Sequence, residues 1–178
     1  MAIAKRKKRF FDVEIPIINH QTQVQAYELK ELEGRLIYYD LTRILRGKIM
    51  LVQLEIKIEG DEAIAVPIQT KLMPYFLRKM VRKGTDYVED SFSTECGNAQ
   101  VRIKPFLITR KKVSRAVKKA LREKAREELI NYVKDKDTET LFDEILKNRI
   151  QKPLSLKLKK IYPLALCEIR IFKIEKKH

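Results

Sequence analysis

The sequence predicts an α+β fold, with mainly antiparallel or barrel-like strands packed with helices, one of them long and basic. Three observations lead there. Apolar residues recur at every second position in several short runs that meet at Gly-containing turns, which is the mark of hairpins. Other runs repeat at helical spacing and fall between the hairpins instead of alternating strictly with single strands. No stretch rich in Gly, Ser or Pro divides the 178 residues, and no internal repeat is present.

The chain begins with MAIAKRKKR, which ends in five consecutive cations, Lys5, Arg6, Lys7, Lys8 and Arg9. Such a run repels itself and orders only against a polyanion; the plain alternative is a solvated tail. Residues 1–9 are therefore expected as a tail. Residues 10–178 are expected as one compact domain, or as two subdomains of about 10–110 and 111–178. From Phe11 to Ile18, Val13, Ile15 and Ile17 alternate with Asp12, Glu14 and Pro16, a strand whose proline favours an edge. Residues 35–45 form a second apolar, aromatic run. A hairpin follows, with Val52, Leu54, Ile56 and Ile58 outbound, Gly60-Asp61 at the turn, and Ile64, Val66 and Ile68 on the return.

The period then changes. Leu72, Phe76, Leu77, Met80 and Val81 fit a helix over 70–83, with Pro74 in its first turn and Gly84 beyond its end. Arg78, Lys79, Arg82 and Lys83 gather at its C-terminal end, where they complement the helix dipole or meet an external polyanion. A second hairpin spans 86–109 around Cys96-Gly97-Asn98, and Pro105 implies a bulge or an edge. A long helix is expected from Lys112 to Lys134. A short one over 138–149 has Thr140 and Asp143 spaced as a capping box, and another lies near 153–161. A strand closes the chain near 164–174.

Charge narrows the function. Lys+Arg number 39 against 24 Asp+Glu, a net +15, while 44% of residues are hydrophobic, so a core forms beneath a strongly cationic surface. The expected partner is a polyanion. Charges interrupt every apolar stretch, so no membrane span is expected. Met1 to Phe10 is basic with no apolar core behind it, so no secretory signal is expected and the compartment reads as cytoplasmic.

The most informative segment is Arg110 to Arg126, with nine cations and one acid, Glu123. At about 100° per residue, Lys111, Lys112, Arg115, Lys118, Lys119, Arg122 and Arg126 share an arc of roughly 120°, and no carboxylate falls inside it. Like charges at i, i+4 destabilise an isolated helix, and a solvated face normally mixes signs. The arc, with Arg110 at its start, therefore points to an external array of phosphates.

Enzyme chemistry has little to stand on. His20 and His178 are the sole histidines, Cys96 and Cys167 the sole cysteines, and no CxxC, Walker, GxSxG or HExxH pattern occurs. No catalytic residue, metal, cofactor or small-molecule substrate is expected. The tyrosines at 38, 39, 75, 87 and 162 lie in apolar runs and read as core residues, with base stacking as the alternative.

Four stretches carry a resemblance: GRLIYYDL (34–41), VRIKPFLIT (101–109), the basic segment 110–128, and 142–174, with KKIYPL at 159–164 followed by EIR. In this order, from about residue 10 onward, they resemble the S-three-A-e (e-S-one) family of small-subunit ribosomal proteins, in its archaeal form. The resemblance implies a non-enzymatic constituent of the small ribosomal subunit that supports translation. It implies a place on the platform near the messenger RNA exit, against ribosomal RNA close to its 3′ end, beside other platform proteins and with messenger RNA in the vicinity. It puts the basic helix and the basic N-terminal segment on RNA, and makes KKIYPL scaffold. The rival from a different class is a free nucleic-acid-binding regulatory protein, separable because it would not sediment with ribosomal particles.

Overall fold

The structure is a computed structural model that describes residues 7–45 and 47–177, Lys177 by its backbone alone. The strands are β1 (Arg9–Ile15), β2 (His20–Ala26), β3 (Leu36–Asp40), β4 (Met50–Glu59), β5 (Glu62–Leu72), β6 (Tyr87–Glu89), β7 (Phe92–Glu95), β8 (Ala99–Thr109) and β9 (Leu164–Lys177). The helices are α1 (Pro74–Met80), α2 (Arg115–Val133), α3 (Thr138–Leu146) and α4 (Gln151–Leu158). This is the α+β class that the sequence predicts. The chain divides into two compact units, residues 1–39 with 52–68, and residues 40–51 with 69–178.

In the first unit β1 and β2 pair antiparallel from Arg9↔Ala26 to Ile15↔His20. Their connection is a 3-10 turn, Pro16–Ile18, closed by Asn19 at φ 48°. Pro16 therefore opens a turn, where its missing N–H is not required, rather than extending a strand. β1 also pairs in parallel with β5 at Val13↔Ala63, and β4 lies between β5 and β3. Val13, Ile15, Leu32, Leu54 and Ile56 are buried here. The return strand shows the opposite face from the one expected: Ala63, Ala65 and Pro67 are buried, whereas Ile64, Val66 and Ile68 are half-buried. Residues 63–68 are apolar at every position, so alternation alone does not choose a face.

The second unit is built on β8 and β9, antiparallel along their length, with β6 and β7 on the other side of β8 and the end of β5 on β9. Pro105 sits at the expected bulge. The register steps from Lys104↔Ile171 to Pro105↔Ile169, which leaves Arg170 as the extra residue. A strand flanked on both sides accommodates a residue without an N–H at such a break. The step also shifts the inward face of β9, so that Glu168, Ile169 and Phe172 are buried.

Pro74 opens α1 as predicted, and Phe76 and Leu77 are its buried residues. α2 begins later than the charge pattern suggests. Ser114 is its N-cap, with Oγ accepting from the Val117 N–H, so Arg110, Lys111 and Lys112 belong to the connection before the helix. The helix buries a row at four-residue spacing, Leu121, Ala125, Leu129 and Val133, and packs on α4, β6 and β7. α3 starts at Thr138, so Thr140 and Asp143 lie inside it and form no capping box. Phe142 of α3 meets Phe172 edge to face, 4.9 Å between centroids. Gly97 donates to the Lys136 carbonyl at 3.0 Å, and a Cβ there would meet Asp137 Oδ1 at 2.9 Å, a contact that the exposed Asp137 side chain relieves by turning away. Lys48 and Glu168, each 9% exposed, form a buried ion pair at 2.6 Å, and Lys48 also bonds Asn148.

Candidate nucleic-acid interface

The two units differ in charge. By sequence the first holds 8 basic and 9 acidic residues, a net −1, and the second 31 and 15, a net +16. The cationic field of the chain therefore originates in the second unit, which contains α1, α2 and the connection between β8 and α2.

That connection is tied down by hydrogen bonds. The Thr109 N–H donates to the Asp86 carbonyl (2.9 Å), and the Asp86 N–H donates to Thr109 Oγ1 (3.1 Å). Asp86 Oδ2 accepts from the Val113 N–H and from Lys118 Nζ, both at 3.0 Å. The Val113 N–H first, and Lys118 second, hold the Asp86 carboxyl below the usual carboxylate range, so it stays ionised and keeps Lys118 neutralised. Asp86 thus anchors the chain immediately before Ser114 and fixes the direction in which α2 leaves.

Carboxylates from the β6–β7 region divide the basic arc. Arg126 makes a bidentate pair with Asp90, Nε to Oδ2 at 3.0 Å and Nη2 to Oδ1 at 3.2 Å, and its guanidinium lies 5.3 Å from the centre of the Phe92 ring. Lys118 is held by Asp86. Among the described residues Lys119 pairs with Glu123 alone, at 3.8 Å with both side chains largely exposed, a contact of little energetic weight. Arg110, Lys111, Lys112, Arg115 and Arg122 are exposed and form no direct ion pair with a carboxylate among the described residues, although Lys112 lies near enough to Asp86 to help hold its carboxyl low. Lys124, on the opposite side, pairs with Glu127 and Glu128, which raise its pKa.

The free cations of the segment are thus its N-terminal part together with Arg122. Ala116 is exposed and Val113, Val117 and Ala120 are half-buried, so this end of α2 stands proud of the body that Leu121 to Val133 pack against. Arg78, Lys79, Arg82 and Lys83 are likewise exposed and without a carboxylate partner among the described residues. Lys7, Lys8 and Arg9 belong to the first unit; they are exposed, with Lys8 Nζ 5.6 Å from the Tyr27 ring centre and Arg9 opening β1. Lys5 and Arg6 lie outside the described residues.

Two cations that sequence reasoning passed over join this surface. Lys104 and Arg170 line, with Arg122, a depression of about 500 Å³ that also contains Glu89 and Asp90. Their adjacency arises from the β8/β9 register and the bulge at Arg170, and no local pattern reveals it. Arg170 Nη1 donates to Glu89 Oε2 at 3.0 Å. Three tyrosines expected in the core are on the surface: Tyr38 is 69% exposed, Tyr75 48% and Tyr87 54%.

Among the described residues no group of three His, Cys, Asp or Glu side chains is placed to hold a metal, and no helix is long and apolar enough to cross a membrane. The arrangement presents exposed cations around a capped helix end, a geometry suited to binding phosphates.

The sequence profile of the Ribosomal S3Ae family matches residues 4–178. Relatives named small ribosomal subunit protein eS1 include one from Nanoarchaeum equitans, 27% identical over 96% of this chain and 90% of its own length. Another, from Pyrobaculum aerophilum, is 28% identical over 99% of this chain and 85% of its own. A third, from Saccharolobus islandicus, is 25% identical over 96% of this chain and 86% of its own.

Proposed function

The chain belongs to the ribosomal S3Ae family, and from that premise we propose that it is a structural, non-catalytic constituent of the small ribosomal subunit in the cytoplasm, docked on folded ribosomal RNA. The second unit carries the contact. Its cations Arg110, Lys111, Lys112, Arg115, Lys119 and Arg122, together with those of α1, bind phosphates, and affinity follows from the counterions they release. Lys118 and Arg126 orient α2 through Asp86 and Asp90 and contribute less to RNA directly. The cations Lys5 to Arg9 bind phosphates as well. Sequence discrimination is weak in such a contact, and the shape of the folded RNA selects the site. The site is on the platform, near the messenger RNA exit and the 3′ end of the ribosomal RNA, beside other platform proteins, as the resemblance implies.

The observation that carries this reading is the set of exposed cations at and before the start of α2, none of them held in a close ion pair among the described residues. Sedimentation of small subunits from cells expressing Arg115→Glu/Lys119→Glu/Arg122→Glu tests it. The triple variant is expected to stay at the top of the gradient while its urea midpoint matches that of the unmodified chain. Normal incorporation at moderate salt would remove α2 from the interface.

A further inference from the structure

Tyr87 lies over Phe106, with ring centroids 5.7 Å apart and planes inclined by 19°. Phe106 is buried beneath it, yet Tyr87 remains 54% exposed, so one face of its ring is occupied and the other side is open. Tyr87 and Phe106 both line a cleft of about 380 Å³ between α1 and the β6–β8–β9 surface, together with Pro74, Leu77 and Val81. Arg78, Glu89 and Arg170 line it as well. The Arg170–Glu89 ion pair lines both this cleft and the cationic depression that contains Lys104 and Arg122.

An aromatic ring with a free face, apolar walls and lining arginines match the chemistry of one nucleotide. Bases have apolar faces that stack on tyrosine, and their sugar–phosphate backbone seeks guanidinium and ammonium groups. From this arrangement we infer that the second unit holds a pocket for a single unstacked RNA base. The base stacks on Tyr87, and the flanking phosphates reach Arg78 on one side and Lys104 and Arg122 on the other. The inference deepens the RNA-docking reading and rests on it, adding a contact that an intact duplex cannot make. The net +16 of this unit favours RNA over a cationic or neutral peptide as the occupant. Glu89 keeps phosphate out of the pocket itself and accepts from an N–H on the edge of the base.

The test uses the full chain and two probes in low-salt buffer, a short single-stranded oligoadenylate carrying one 2-aminopurine and an RNA duplex of equal length. The oligoadenylate is expected to show saturable quenching of its 2-aminopurine. Tyr87→Ala should weaken that binding by roughly five- to 160-fold, the range for losing one base–aromatic stack, and leave duplex binding unchanged. Tyr87→Phe should retain the single-strand affinity, and Arg78→Gln should reduce it without abolishing the quench. The half-exposed ring makes Tyr87→Ala a change the fold tolerates, and equal urea midpoints verify this. If duplex and oligoadenylate bind equally and Tyr87→Ala affects neither, the base pocket is refuted while phosphate docking stands. If neither probe binds, both readings fall. If Tyr87→Ala lowers incorporation into small subunits with oligoadenylate affinity intact, the cleft receives a protein neighbour and the base pocket is likewise refuted.

Discussion

Free and paired cations on the same helix should behave differently towards RNA, and the salt dependence of binding separates them. Arg115 and Arg122 are exposed and without a carboxylate partner among the described residues; Lys118 and Arg126 are held at 3.0 Å by Asp86 and Asp90. Each neutralised phosphate contributes about 0.7 to 0.9 to the slope of log K against log salt, so Arg115→Gln/Arg122→Gln should lower that slope by about 1.4 to 1.8. Over a fourfold rise in salt, the double variant then loses about tenfold less affinity than the unmodified chain. Lys118→Gln/Arg126→Gln should change the slope little, because those charges are already neutralised within the protein. Filter binding to small-subunit ribosomal RNA between about 50 and 200 mM salt gives both slopes. An equal drop for the two pairs would refute the division of the arc by Asp86 and Asp90.

Four further outcomes follow from packing and burial. Glu168→Ala leaves Lys48 buried without its counter-charge and should cost about 3 kcal/mol in urea unfolding, most of it recovered in Lys48→Met/Glu168→Leu; an unchanged midpoint for the single variant would contradict the buried pair. Desolvation raises the pKa of Glu168 in the folded state, so the folded chain binds this proton more tightly than the unfolded one. Its contribution is therefore full below the ordinary glutamate pKa and lost as pH rises through the higher folded value, a trend that Glu168→Gln should abolish in pH-dependent unfolding. Burial pushes the Cys167 thiol up to about 12, so native-state alkylation at pH 8.5 should be about a thousandfold slower than in urea, as followed by mass spectrometry; comparable rates would place the thiol in water. Phe142→Ala removes a fully buried ring from its edge contact with Phe172 and should cost about 3 to 5 kcal/mol by urea titration.

What the sequence discloses and what it hides divide along physical lines. Local rules are legible: Pro74 can open a helix, Gly60 turns a hairpin at φ 66°, and Pro105 requires a break in pairing because it lacks an N–H. The class of partner is legible too, since net charge and its clustering add up without knowledge of the fold. Where several local solutions compete, the pattern misleads. Residues 110–113 continue the helical charge spacing, but the Ser114 hydroxyl and the Asp86 carboxylate end the helix at Arg115. Tyr38, Tyr75 and Tyr87 sit in apolar runs yet fall on the solvent side, because period-two and helical phases fix faces only after a register is chosen. Long-range pairings are invisible in principle. Asp90 meets Arg126, Lys48 meets Glu168, and Lys104 and Arg170 line one depression, all through β-sheet register and helix packing set by the whole second unit.

Lysine acetylation footprinting of the chain, free and within purified small subunits, addresses the interface directly. Lys111, Lys112 and Lys119 are exposed in the chain itself, and the account predicts that all three lose reactivity in the subunit. Reactivity as high in the subunit as in the free chain would mean that RNA does not cover the start of α2, and the proposed docking would be wrong.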